Sequence, residues 1–468
     1  MESHRRGPYS LGAPKELIRT VGTGEDATAY PFQHSIASRA GEVTSPLRQS
    51  SRIPATRRSM RITRRRLASE LAASAAFARA AAAQSASAPA DGPGPNEPHT
   101  GNLYAFLQRQ ADIAPALSFR RPEFGSLANW QKRARTRLFD RLSYSPAPVK
   151  PEAEVIRRAD RGDYTLESIR LRTTADLTVP AFVLIPKNAR LPAPGIVALH
   201  DHGGFYMWGK EKILAQDEEH PVLTEFRQRY YGGRSIAAEL ARQGYVVIVI
   251  DMFYWGERRL LFDADPAAVR DRTPALSRAD IDALNRRSSQ NEPLVARSLF
   301  TAGITFPGIL CWDDIRTVDY LAQRPEVDPK RLGCVGLSVG GYRSYLLAAL
   351  DPRIKAAVVV GWMTSFPKQI RRHVVNTVGF SFHIPAMLRD LDYPDLAALI
   401  APRALMVING SRDTLFHPDA VKDAFATVEA CYRKAGVPAR QTCRLYDAPH
   451  EFNLEMQPAA WDWLRRWV

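Results

Sequence analysis

A serine between glycines forms the most informative motif of this chain. Gly336, Ser338 and Gly340 fill the pattern G-x-S-x-G, between a predicted buried strand (331–335) and a predicted helix (341–350). A serine on a sharp strand-to-helix turn exposes its hydroxyl, and small neighbours let the backbone pass closely. The start of the following helix also favours an anion. The motif predicts Ser338 as a nucleophile; the alternative is a glycine-rich turn in another α/β protein.

A nucleophilic serine needs a base, and the base needs a carboxylate that orients it. His450 follows a predicted strand (442–446) and precedes a closing amphipathic helix. Asp413 lies in a polar loop after a predicted buried strand (403–409). All three side chains therefore follow the carboxyl ends of predicted parallel strands, which meet at one edge of a sheet. We expect Ser338, His450 and Asp413 to form a catalytic triad.

Three other residues compete for these roles. Asp447 is only three residues from His450, which favours a role in shaping the loop. Asp351 begins an Asp-Pro-Arg turn after the nucleophile helix. His417 lies close to Asp413 in sequence and is more typical of a partly exposed loop histidine, although it could line the site.

Acyl transfer also needs two hydrogen-bond donors for the developing oxyanion. We expect one to be the N–H of Val339 and the other the N–H of His202, in a glycine-containing loop after a predicted strand (195–199). His200 and His202 also resemble an H-x-H metal pair. Metal hydrolases need further ligands, and no second His/Asp cluster accompanies this pair, which argues against a metal site. No metal or organic cofactor is expected.

Five segments together give a family resemblance: LHDHGGFYMWGKEK, DMFYWGER, GLSVGGYRS, LDYPDLAALIAPRALMVINGSRD and APHEF. They resemble the dienelactone-hydrolase and acetyl-xylan-esterase-like branch of the α/β-hydrolase superfamily, from about residue 100 to the C-terminus. The resemblance implies the same triad, oxyanion donors at His202 and Val339, and short acyl esters of carbohydrate as substrates. One difference is Asp201, where related loops more often have glycine.

The predicted fold is an α/β-hydrolase fold, a mostly parallel sheet with an antiparallel start and helices on both faces. Its predicted strands are 164–172, 178–185, 195–199, 245–251, 331–337, 355–361, 403–409 and 442–446. Two insertions, 252–305 and 362–399, leave the sheet on the side of the triad. The candidate substrate-pocket residues are Gly203, Tyr254, Trp255 and Trp362, whose rings could either stack on a sugar or pack against the core.

Composition is typical of a large enzyme. The chain has 468 residues with 45% hydrophobic content, enough for one large core or two small ones. Its net charge of +15 is distributed along the chain, and the sequence shows no known nucleic-acid-binding module. No nucleic-acid partner is therefore expected. No run of 18 apolar residues predicts a membrane span. Four cysteines lack metal-binding spacing, although Cys431 and Cys443 could pair in an oxidising compartment.

The N-terminal region has three predicted parts. Residues 1–59 are arginine-rich and aperiodic, which indicates disorder or an over-extended start. Residues 60–83, opening at Met60, place consecutive arginines before an alanine-rich segment and resemble a twin-arginine export signal. Residues 84–100 are typical of a flexible linker. We therefore expect a catalytic domain with an N-terminal helical extension over 101–468, exported to the periplasm or secreted, or cytoplasmic if no signal is present.

The resulting functional hypothesis is a serine esterase acting through an acyl-enzyme on a small-molecule or carbohydrate ester. A peptidase of the prolyl-oligopeptidase type shares the triad, but no propeller domain precedes the catalytic part. A non-catalytic binding module on the same fold is a further alternative. A protein that only binds would have no need of all three triad residues.

Overall fold

The computed structural model of the protein describes residues 103–273, 275–370 and 378–468. The predicted N-terminal tail, export signal and linker, which together make up residues 1–100, lie outside the described residues. The described part of the chain therefore belongs to the predicted catalytic domain.

Within the described residues, nine strands form one sheet. They are β1 (Ala153–Asp160), β2 (Tyr164–Arg172), β3 (Thr178–Pro186), β4 (Ala193–Leu199), β5 (Val246–Ile250), β6 (Val327–Leu337), β7 (Ile354–Val360), β8 (Ala404–Gly410) and β9 (Gln441–Tyr446). Their order is β1-β2-β3-β5-β4-β6-β7-β8-β9. β1, β2, β3 and β5 pair antiparallel in succession, and every pair from β5 to β9 is parallel. The predicted mostly parallel sheet with an antiparallel start is confirmed.

The edge strand β1 was not predicted from the sequence. Its residues AEVIRRAD are mostly exposed, so they lack the apolar alternation that indicates a half-buried strand. The strand instead forms by antiparallel pairing with β2, from Ala153 opposite Leu171 to Asp160 opposite Thr165. Backbone pairing at a sheet edge needs no particular side chain.

Helices cover both faces of the sheet. They are α1 (Leu103–Ala111), α2 (Leu127–Leu142), α3 (Pro221–Tyr231), α4 (Ile236–Arg242), α5 (Ala267–Asp271), α6 (Arg278–Thr301), α7 (Phe306–Gln323), α8 (Val339–Leu350), α9 (Phe366–Gln369), α10 (Ala397–Ile400), α11 (Pro418–Lys434) and α12 (Met456–Trp467). Alternate residues of β5 divide between two cores, with Val246 and Ile248 in one and Val247 and Val249 in the other. α2, α7, α8 and α11 cover the first core, and α4 and α12 cover the second.

The first insertion contributes α5 and the long helix α6, and α7 follows it directly. Ser277 caps α6 in a capping box with Asp280, and Thr305 caps α7 by accepting from the Gly308 N–H. Among the described helices, none is by itself long and apolar enough to cross a membrane, whereas α6 and α7, bent by 82° at their break, meet the length and composition criteria as a pair.

The four cysteines are all free thiols. Cys311, Cys334 and Cys431 are buried, and burial raises the pKa of each thiol. The alternative of a Cys431–Cys443 disulfide is therefore not observed.

Candidate active site

Ser338 occupies a sharp turn between β6 and α8. Its backbone has φ 59° and ψ −123°, a conformation that is rare for a residue with a side chain. The turn is held from two sides: the Ser338 N–H donates to the Val360 carbonyl at 2.8 Å, and the Ser338 carbonyl accepts from the Tyr342 N–H at 2.9 Å. Such strain persists where the surroundings fix the backbone, as they do here.

The glycines of the motif allow this turn to pack against β4. A Cβ atom added at Gly340 would lie 2.0 Å from the Leu199 carbonyl oxygen. One added at Gly336 would lie 2.4 Å from the carbonyl carbon of Gly340. Both contacts are with backbone, which cannot rotate away. The spacing of the motif therefore reflects the close approach of α8 to the neighbouring strand.

His450 and Asp413 meet beyond the ends of β9 and β8. His450 Nδ1 lies 2.6 Å from Asp413 Oδ2, and Asp413 Oδ1 accepts from the Leu415 N–H at 2.9 Å. Burial lowers the pKa of His450, but the Asp413 charge and hydrogen bond outweigh burial, so the net pKa is raised above 6.5. The structure thus brings together the predicted base and acid.

The His450 ring lies beside the same strand end that holds Ser338. A Cβ atom added at Gly361 would be 3.2 Å from His450 Cε1. The preceding residue, Val360, is the one whose carbonyl accepts from the Ser338 N–H. The predicted nucleophile, base and acid are therefore gathered at the carboxyl ends of β6 to β9.

The competing residues have other contacts. The Asp447 side chain is 84% exposed and pairs with Arg412 at 3.0 Å. Asp351 pairs with Arg353. His417 is the N-cap of α11, where its ring accepts from the Asp419 N–H. The carboxylate that meets His450 is that of Asp413.

The oxyanion loop, residues 200–205, follows β4. His200 is fully buried, and its Nε2 accepts from the Met252 N–H at 3.1 Å. Its Nδ1 therefore carries the proton and donates to the Asp201 carbonyl at 2.9 Å. Burial lowers the pKa of His200 well below its usual range, so the ring is neutral. Both ring nitrogens are engaged within the protein.

The Asp201 side chain, at the position where related loops more often have glycine, is buried in the interior. Its Oδ1 accepts from the Tyr231 hydroxyl at 2.5 Å, and its Oδ2 lies 3.6 Å from Lys212 Nζ. All three side chains are almost fully buried. Because α3 contributes Tyr231, the carboxylate ties the oxyanion loop to that helix.

His202 contacts the first insertion. Its Nδ1 accepts from the Gly204 N–H at 3.0 Å, and its Nε2 lies 3.5 Å from Glu292 Oε2 on α6. Tyr206 also donates its hydroxyl to Glu292, at 2.9 Å. Glu292 and Lys212 were not predicted as functional residues: Glu292 belongs to no motif, and Lys212, although it ends the segment LHDHGGFYMWGKEK, has no role that the sequence alone indicates.

The predicted aromatic pocket requires correction. Trp255 is 0% exposed, Trp362 1% and Tyr254 3%. Trp362 stacks on Phe382 at 4.3 Å between ring centroids, and the Tyr254 hydroxyl donates to the Ser288 carbonyl. These rings are packed behind the site and offer no face to a substrate. Of the four predicted pocket residues, only Gly203 is exposed.

A cluster of three carboxylates lies close to the oxyanion loop. Glu211, Asp251 and Glu257 are close enough together to hold a metal ion. Lys210 Nζ already contacts all three, at 3.2, 2.8 and 2.6 Å, and Arg272 contacts Glu211 at 3.0 Å. The ammonium and guanidinium groups neutralise this acidic cluster, so it is best described as an ion-pair network that is buried except at Glu257.

Comparison with known proteins identifies the family. Residues 103–446 match the sequence model of the Abhydrolase family. The chain belongs to this family. The predicted α/β-hydrolase fold and superfamily are thereby confirmed.

Several individual proteins are similar to this Abhydrolase-family member in sequence or in fold. It is 24% identical to "Putative hydrolase YtaP" of Bacillus subtilis (strain 168) over 302 residues, which cover 64% of this chain and 88% of that protein. Its fold is similar to that of a "putative acetyl xylan esterase" from Bacteroides fragilis, with TM-score 0.57 and 18% identity over 76% of this chain and 85% of that chain. A glucuronoyl esterase from Solibacter usitatus gives TM-score 0.49 and 15% identity over 75% of this chain and 97% of that chain.

Proposed function

We propose that this Abhydrolase-family protein is a serine carboxylic-ester hydrolase. In this proposal Ser338 is the nucleophile, His450 the general base and Asp413 the acid that orients the base. The observation that carries the proposal is the 2.6 Å contact between His450 and Asp413, at the strand ends where Ser338 is held in its strained turn. A nucleophile on a turn beside a paired His–Asp dyad is the arrangement that acyl transfer requires.

The chemistry proceeds in two steps. Because Nδ1 of His450 donates to Asp413, its Nε2 is free to take the Ser338 proton as Oγ bonds to the ester carbon. The carbonyl oxygen becomes an oxyanion that accepts from the N–H groups of Val339 and His202. The carbon–oxygen bond to the alcohol then breaks, and His450 gives its proton to the leaving oxygen. In the second step water attacks the acyl-enzyme, with His450 again taking and returning the proton. This step releases the acid and restores Ser338.

Short acyl groups on a carbohydrate are the proposed substrate class. Ser338 is only 6% exposed, which supports a small acyl group over a bulky one. The name of the Bacteroides fragilis protein makes acetylated xylan the first polymer to test. Acetyl esters should therefore be hydrolysed faster than long-chain esters.

A substrate panel tests the proposal. Wild-type protein and Ser338→Ala would be assayed on p-nitrophenyl esters of increasing chain length, on acetylated xylan and on peptide substrates. We expect wild-type hydrolysis of the acetyl and other short esters, and a loss of at least about 10³-fold in the variant. Peptide cleavage without ester hydrolysis would favour a peptidase, and binding of acetylated xylan without turnover would favour a non-catalytic module.

A further inference from the structure

Two successive carbonyl groups of the oxyanion loop are held by donors from the protein interior. Lys212 Nζ donates to the carbonyl of Asp201 at 2.7 Å and to that of His202 at 3.0 Å. His200 Nδ1 donates to the first of these carbonyls at 2.9 Å. Trp255 Nε1 donates to the second at 3.3 Å. Three side chains therefore fix the orientation of two adjacent peptide groups.

Fixing the carbonyl of a peptide group also fixes the direction of the N–H in the same group. Both peptide bonds are trans, so each N–H points away from the carbonyl of its own peptide group. The N–H of His202 is opposite the Asp201 carbonyl, and the N–H of Gly203 is opposite the His202 carbonyl. Within residues 103–273, 275–370 and 378–468, neither N–H donates to a protein group.

The loop after β4 lies next to the nucleophile turn. β4 and β6 pair in parallel up to Leu199 opposite Gly336, so the loop after β4 adjoins the turn after β6. A Cβ atom added at Gly340 would lie 2.9 Å from the His200 carbonyl oxygen, which shows how closely the two segments approach. An oxyanion formed at Ser338 would therefore meet the N–H groups that the interior donors leave free.

We infer that Lys212, assisted by Trp255, is a positioning residue that orients the N–H groups of His202 and Gly203 toward the oxyanion; this inference rests on the proposed function. Lys212 touches no reacting atom and acts through the loop backbone. Burial lowers the pKa of Lys212 to about 8. Below that pH Lys212 is a charged donor, which also draws electron density from both carbonyls and makes the attached N–H groups stronger donors. Lys212 is 0% exposed, so bulk solvent does not reach these contacts.

The test compares Lys212→Met with wild-type enzyme, using active-site titration by a fluorophosphonate to count competent sites. The substrate is p-nitrophenyl acetate, and the transition-state analogue is an aryl trifluoromethyl ketone, which forms a hemiketal oxyanion on the serine. We expect kcat per titrated site to fall about 10- to 100-fold, somewhat less than for loss of a whole oxyanion donor. KM should stay within about threefold, and Ki for the ketone should rise by the same factor as kcat falls. A kcat and a Ki both within about threefold of wild type would overturn the inference.

A matched control separates positioning from ordinary stabilisation. Lys434 Nζ also donates to two backbone carbonyls, those of Phe119 and Arg121 at 2.6 and 2.7 Å. Lys434→Met should lower the melting temperature while leaving kcat and Ki unchanged. Equal losses of kcat in the two lysine variants would contradict a specific role for Lys212.

A second variant decides the question if Lys212→Met does not fold. Trp255→Phe removes the indole donor to the His202 carbonyl, together with part of the ring that stacks on Tyr206, and we expect a several-fold loss of kcat with a parallel rise in Ki. Unchanged values there would overturn the inference. If the wild-type enzyme hydrolyses esters and the variants keep its kcat and Ki, only this inference is overturned. If the wild-type enzyme does not hydrolyse esters, the proposed function is overturned as well.

Discussion

His450 Nδ1 and Asp413 Oδ2 lie 2.6 Å apart across the ends of the neighbouring parallel strands β8 and β9. The contact fixes which ring nitrogen carries a proton, because the carboxylate accepts and Nδ1 must donate. Nε2 is then the nitrogen available to a proton from Ser338. One hydrogen bond therefore determines both the tautomer and the direction of the base.

Asp413→Asn should remove most of the activity. An asparagine can present its N–H₂ group to Nδ1 and so favour the wrong tautomer, and we expect kcat to fall by about 10²- to 10⁴-fold. Steady-state assays with p-nitrophenyl acetate measure this loss. Asp447→Asn is the matched control, since that exposed carboxylate pairs with Arg412. A larger loss in the control than in Asp413→Asn would refute Asp413 as the acid.

Activity and the His450 contribution to stability should depend on pH in opposite directions. The base must be neutral, and its pKa is raised above 6.5, so kcat/KM should fall as pH drops below that raised pKa. Protonated His450 is favoured by the folded state, so its stabilising effect is present below pH 6.5 and is lost as pH rises through the folded pKa. A pH–rate profile measures the first effect. A rate that stays flat down to pH 4 would rule out a histidine base.

Gly340→Ala should destabilise the protein strongly. The new methyl group would meet the Leu199 carbonyl oxygen at 2.0 Å, and we expect a loss of about 3 kcal/mol or more in the free energy of unfolding. Denaturant unfolding gives the value. Gly125→Ala is the control, because nothing lies within 4 Å of its added Cβ and its effect should stay within about 0.5 kcal/mol. Similar values for the two variants would show that α8 does not need its close approach to β4.

Much of the site could be predicted because strand ends are visible in the sequence. Buried parallel strands are continuous apolar runs, and Ser338 and Asp413 each follow one, whereas His450 follows the partly exposed edge strand β9. The helix α2 also follows from local signals, since its buried residues recur with helical spacing and Ser126 caps it. Periodicity and turn residues are local signals, and the triad depends on them.

The supporting contacts could not be predicted in the same way. Tyr231 and Glu292 reach the oxyanion loop from two separate helices, and no spacing in the sequence relates them to it. Lys212 follows the loop in the same segment, but its contacts with the loop carbonyls arise only when the chain folds. The aromatic residues after β5 were visible, but aromatic character alone does not distinguish a substrate platform from packing. Burial decided between those interpretations, and burial is a property of the folded chain.

Export is a separate prediction, since residues 60–83 lie outside the described residues. Arg64, Arg65 and Arg66 precede the alanine-rich segment, and we propose that they direct export with cleavage near Ala83. Protein purified from its native host should then begin near Gln84, and arginine-to-lysine changes should leave precursor in the cytoplasm. N-terminal sequencing measures this. An active enzyme that still begins at Met1 or Met60 would contradict the proposal.

The residue that forms the covalent intermediate can be identified by chemical labelling, which is the sharpest test of the proposed mechanism. Wild-type protein would be inactivated with a fluorophosphonate, digested and analysed by mass spectrometry, with Ser338→Ala treated in parallel. We predict one label per chain, on Ser338, with loss of ester hydrolysis in proportion to labelling and no label in the variant. Stoichiometric labelling of another residue, or full inactivation of Ser338→Ala by the reagent, would contradict the mechanism.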